Sequence, residues 1–129
     1  MGGRLGIILV SETREKLQMA AMVASVGAVS GNAVSVFVSM NAMKYFVKGG
    51  NKHAPVEGDV GRALERKKAP PFDELFRQAV ELGDAKIYPC SMAMDLLELE
   101  SDDLEPYVEK AMGLTKYLDE ASDAQVWTF

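Results

Sequence analysis

The chain has 129 residues, 48% of them hydrophobic and 26% charged, with a formal net charge of −5. This suits one compact domain over residues 1–129 with a single core, and it lacks the basic surplus of a nucleic-acid binder. One cysteine, Cys90, and one histidine, His53, exclude an intrachain disulfide and a multi-cysteine zinc or iron–sulfur centre, so neither metal nor cofactor is expected.

Residues 5–10 are a continuous aliphatic run, as suits a strand buried on both faces of a parallel sheet. Residues 14–28 follow, rich in Ala, Met, Leu and Val without proline, and read as a helix apolar on more than one side. Such a helix is placed between the sheet and another subunit, which makes self-association an expectation. Gly31 and Asn32 make a turn into a second strand at 33–38, and residues 39–47 read as a helix. The order strand, helix, strand, helix is that of a parallel α/β unit.

Residues 49–71 contain five of the turn-forming signals in close succession (Gly49, Gly50, Pro55, Gly58, Gly61) and end in Pro70 and Pro71. They read as a long mobile loop with a short helix near 60–67, either a lid over the cysteine or plain surface chain. Phe72, Leu75, Phe76, Ala79, Val80 and Leu82 have helical spacing up to Gly83. A short strand at 85–88 then leads through Pro89 and Cys90 into a helix. Residues 101–121 are expected to be helical, with Pro106 restricting the start, and 125–129 close the chain as a strand.

Neither the first apolar run nor residues 19–29 are long enough for a membrane span, and no small-residue cleavage site follows the first, so a cytoplasmic protein without a span is expected. Charge is uneven. Residues 44–70 hold seven Lys/Arg against three Asp/Glu, and residues 95–123 hold ten acidic residues against two lysines. A dipolar chain of this kind suits an anionic ligand or an acidic partner, although taken alone a solvated loop and solvated helix faces are the better account of it.

In open parallel sheets ligands gather beyond the carboxyl ends of the strands. That edge here receives Ser11 and Glu12 from the first strand, Ser39, Met40 and Asn41 from the second, and Cys90 from the third. Cys90 at the start of a helix meets the positive end of its dipole, which favours thiolate, and the amides of the residues that follow, Ser91 and Met92 first, face the sulfur. The plain alternative for a lone cysteine is a small buried hydrophobe. Met40, Met43, Met92 and Met94 read as core filling rather than soft-metal ligands, and His53 as a loop residue. The chain has no phosphate-binding glycine loop and no nucleophile elbow.

Cys90-Ser91-Met92-Ala93-Met94-Asp95-Leu96-Leu97, preceded by Lys86-Ile87-Tyr88-Pro89, resembles the cysteine motif of DsrE-like proteins of the DsrE/DsrF/TusD superfamily. The likeness extends to residues 72–83 and 34–46 and, in part, to Gly113-Leu114-Thr115-Lys116-Tyr117-Leu118; residues 49–70 are its weak region. The resemblance implies a three-layer α/β sandwich with a flavodoxin-like wrap and a mainly parallel four- to five-stranded sheet. It also implies a homo-oligomer (dimer, trimer or hexamer) and sulfur-carrier chemistry in which Cys90 accepts a sulfane sulfur. Some relatives carry a further cysteine that this chain lacks, which disfavours an internal resolving thiol and a peroxidase role. Donor and acceptor proteins or small thiols are then the expected partners, with Lys44 and the basic loop favouring an anionic donor. The competing reading is a non-catalytic α/β oligomeric binding module with a structural cysteine.

Overall fold

The computed structural model describes residues 2–129. Four strands, β1 (Arg4–Leu9), β2 (Ala33–Val38), β3 (Lys86–Pro89) and β4 (Gln125–Thr128), form one all-parallel sheet in the order β3-β2-β1-β4. Five α-helices join them: α1 (Arg14–Val29), α2 (Asp59–Arg66), α3 (Phe72–Gly83), α4 (Ser91–Leu96) and α5 (Leu114–Glu120). No helix among the described residues is long and apolar enough to cross a membrane.

The central strand β1 alternates between two covered faces. A Cβ on Gly27 of α1 would strike Leu5, while one on Gly6 would strike the Tyr117 hydroxyl of α5. Neighbouring strand residues point to opposite faces, so α1 and α5 lie on opposite sides of the sheet, giving three layers. On the α1 side, α3 packs alongside so closely that a Cβ on Gly83 would overlap Ala28. The buried face of α1 is built from Leu17, Ala20, Ala21, Ala24, Gly27 and Ala28, whose small side chains permit that approach. On the other side Tyr117, fully buried, stacks on Phe37 with centroids 5.0 Å apart, and its hydroxyl lies 2.9 Å from Ser35 Oγ.

Two stretches differ from the sequence expectation. Residues 39–47 form a 3-10 helix, Met40–Phe46, rather than an α-helix, because Met40 enters it at φ 53° and Ala42, Met43, Tyr45 and Phe46 all turn inward. Residues 101–121 are not one helix. A 3-10 turn at Ser101–Asp103 is followed by Leu104 in an antiparallel bridge to Val47, a turn at 106–108 and irregular chain from Glu109, and only Leu114–Glu120 is α-helical. Pro106 denies the helix a donor. The irregular chain instead covers the outer edge of β3, with Glu109 N donating to Ile87 O at 2.8 Å and Met112 N to Pro89 O at 3.0 Å. Leu104 and Met112, whose spacing imitates a helix, are buried from two separate bridges, to Val47 and to Cys90.

Residues 49–71 contain α2 and are tied to the head of α1. The Glu15 carboxylate accepts from the backbone N–H groups of Glu57 (2.8 Å), Gly58 (2.8 Å) and Gly61 (3.1 Å), and so caps α2 from another helix. Gly61 must be glycine here, since its Cβ would meet that carboxylate and Val56. Gln18 Nε2 donates to Pro70 O at 3.0 Å, and Arg14 N to Pro55 O at 2.8 Å.

The N–H groups hold the Glu15 carboxyl below its ordinary value of 4.5, and burial opposes them. A depressed carboxylate contributes stability above its unfolded pKa and loses it as pH falls through the folded one. We therefore expect the Gly58 and Gly61 amide resonances to titrate together below pH 4.5. In Glu15→Ala, tryptic cleavage at Arg62, Arg66, Lys67 and Lys68 should be faster by about tenfold, as loss of charge-assisted bonds frees the segment locally.

Candidate functional site

Three strand ends meet at the carboxyl edge of the sheet. Cys90 continues β3: its N–H donates to Val38 O at 2.8 Å, while Met112 lies beside it in a parallel bridge. The chain then turns directly into α4 with Cys90 as N-cap, in extended backbone (φ −72°, ψ 124°). Its carbonyl accepts from Met94 N at 3.0 Å, and Ser91 N donates to Met112 O at 3.1 Å. Within the first turn this leaves the amides of Met92 and Ala93 without an intrahelical acceptor. The thiol is free of any disulfide and buried, with 4% of the residue exposed.

Ser91 and Met92, by contrast, are exposed. Of the four methionines near this edge, Met43 and Met94 are buried in the core, whereas Met40 and Met92 are about half exposed, at 51% and 52%. The first pair fills space, and the second gives the edge two uncovered thioethers.

Glu12, Asn41 and Lys44 come together. Lys44 Nζ donates to Glu12 Oε2 at 2.7 Å, Asn41 Nδ2 to Glu12 Oε1 at 3.4 Å, and Tyr45 Oη to the Glu12 carbonyl at 3.1 Å. The Glu12 hydrogen bond raises the Lys44 pKa above its ordinary value, against a smaller opposing effect of desolvation. Ser11 N donates to Phe129 O at 3.2 Å, closing β1 against the chain end. Ser39 is buried and its N–H donates to Leu9 O at 3.0 Å, so it serves the backbone between β1 and β2. Among the described residues, no hydrogen bond or ion pair runs from residues 49–71 to Cys90, Ser91 or Met92; their hydrogen bonds outside the segment go to Thr13, Arg14, Glu15, Gln18, Val47 and Leu75, and their ion pairs to Lys16 and Glu105.

Sequence reasoning did not single out Tyr45, Arg14 or Glu15. Tyr45 was legible only as an aromatic in an apolar run. The visible signal for the other two was an adjacent cation and anion heading an otherwise apolar helix.

The fold and the junction define a small α/β protein with a single thiol between a parallel strand and a helix, at the sheet edge where such proteins do their chemistry. The DsrE/DsrF/DrsH-like family matches residues 41–129, and the chain belongs to that family. In structure it is similar to MTH1491 from Methanobacterium thermoautotrophicum, a protein of unknown function, with a TM-score of 0.67 and 8% identity over 98% of this chain and 99% of that one. It is also similar to the ychN protein from E. coli, with a TM-score of 0.64 and 14% identity over the whole of both chains. At these identities the likeness is one of fold. No curated protein matches the chain in sequence.

Exposed ion pairs contribute little to stability, about 0–1 kcal/mol. Glu12→Gln should therefore leave urea unfolding almost unchanged while returning the Lys44 pKa towards its ordinary value. Side-chain NMR titration of Lys44 measures this directly.

Proposed function

We propose that the protein is a cytoplasmic sulfur carrier that holds sulfane sulfur as a persulfide on Cys90, acting as one domain within a homo-oligomer. The observation that carries this reading is the position of the only thiol of the chain: the N-cap between β3 and α4, at the carboxyl edge of an all-parallel sheet, in a chain of the DsrE/DsrF/DrsH-like family. Cys90 thiolate attacks the sulfane sulfur of a donor. The donor's bond to that sulfur breaks, the donor leaves with the electron pair, and Cys90 keeps the sulfur as a persulfide. An acceptor thiolate then attacks the outer sulfur and releases Cys90 as thiolate, with no net redox change. The Met92 and Ala93 amides are the donors nearest in sequence for the persulfide anion, and Ser91 and Met92 form the exposed approach. With no second cysteine, transfer is to another protein or a small thiol.

Because Cys90 is buried, sulfur transfer in this reading requires the chain around it to open locally. Burial also favours a second reading, an α/β binding module in which Cys90 is a packed side chain. Self-association is supported in both readings by Met19, Met22, Val26 and Val29, an exposed apolar stripe along the outer face of α1.

Mass spectrometry of the intact protein after exposure to polysulfide, thiosulfate or tetrathionate decides between them. The carrier should gain sulfur at Cys90 from at least one donor, reversed by a reducing thiol and absent in Cys90→Ser. Unmodified Cys90 with every donor, together with native alkylation far slower than in denaturant, would establish the packed cysteine.

A further inference from the structure

Away from Cys90, one buried cation lacks a counter-charge. Arg14 is only 8% exposed, yet its guanidinium makes no ion pair and no hydrogen bond to any described residue, and its Nε is fully buried without a partner. Its one side-chain contact of note is the Phe72 ring, with Cζ 5.5 Å from the centroid. A cation–π contact compensates only part of the cost of removing a guanidinium from water.

Arg14 lines a cleft of about 620 Å³ at the carboxyl edge of the sheet, where α1 and α3 both begin and α2 ends. Lys68, which follows α2 in a left-handed backbone conformation (φ 54°), lines the same cleft with Asn51, Lys52 and His53. Of its two carboxylates, Glu65 has Oε1 3.5 Å from His53 Nδ1, an ion pair when the imidazole is protonated, and Asp73 has no ion-pair partner among the described residues. Lys52 is shared with Glu105 at 2.9 Å. Arg14 and Lys68 are thus the two cations without a carboxylate partner, and the positive ends of two long helices reinforce them. Leu64, Ala69 and Pro71 supply an apolar wall.

We propose that this cleft binds a small organic oxyanion, its charged group held by Arg14 and Lys68 and its apolar part against Leu64, Ala69 and Pro71. The planar guanidinium fork suits two oxygens of one carboxylate or phosphate, and the site needs no contribution from Cys90.

The test uses the full chain and NMR, including the Arg14 Nε–H signal, with phenyl phosphate, phenylacetate and neutral benzyl alcohol as probes. At least one of the two anions should give saturable shifts at Arg14, His53 and Lys68, and the tighter of the two assigns the site to phosphate or carboxylate. Benzyl alcohol should bind more weakly by about tenfold or more. Lys68→Gln, an exposed change that spares the core, should weaken the anion by about tenfold, and Arg14→Gln should abolish binding. Failure of both anions to shift these residues, equal binding of benzyl alcohol, or an unchanged affinity in Lys68→Gln would each overturn the proposal.

Discussion

The close seat of α1 is the constraint from which the carboxyl edge takes its shape. An alanine-rich face lets the helix settle on β1 and β2 while α3 approaches until Gly83 meets Ala28. Larger side chains at either place would force the two helices apart by overpacking. Because α1 is held in this way, its first two residues are fixed in space. Glu15 caps α2 and Arg14 faces the ring of Phe72, so the basic segment 49–71 is arranged around a helix end whose position was set by packing several turns away.

Much of this was legible in the chain. β2 and α3 occupy the stretches their patterns indicate, and β1, α1 and β3 differ by about a residue, because in each the hydrophobic period and the flanking turn residues agree with the fold. The passage from Pro89 through Cys90 into α4 was also legible, since a short apolar strand ran straight into a helix-forming sequence. The failures have a common physical cause. Leu104, Val108 and Met112 are spaced like a helical face, but Leu104 bridges Val47, Val108 closes a turn and Met112 pairs beside β3, where the alternative reward is covering its unpaired edge. Nothing local announces that reward. It depends on which strand lies at the edge, a property of the whole sheet.

The electrostatic asymmetry of the sequence also takes a definite form. Of the basic residues 44–70, Lys52 and Lys68 line the cleft beside Arg14 at the head of α1, while Lys44 and Arg62 are paired with Glu12 and Asp59. The acidic residues of the last third include Glu105 and Asp103, which meet this region through Lys52 and through the Asp103 carbonyl that accepts from Lys48 N at 2.8 Å. The two charge blocks are thus partly neighbours, joined just before the turn at 106–108.

That junction links the two places at the sheet edge where chemistry is proposed. Strand alternation from Tyr88, which faces Tyr117, puts Cys90 on the α5 side, while Arg14 and its cleft lie on the side of α1 and α3, so one small ligand does not touch both. Their connection runs instead through Lys52 and Glu105, the least exposed ion pair among the described residues, with side chains 21% and 20% exposed. Lys52 lines the cleft, and Glu105 precedes the turn at 106–108 from which the chain runs to Met112 beside Cys90. The two places thus share a boundary, the Lys52–Glu105 pair, but no ligand.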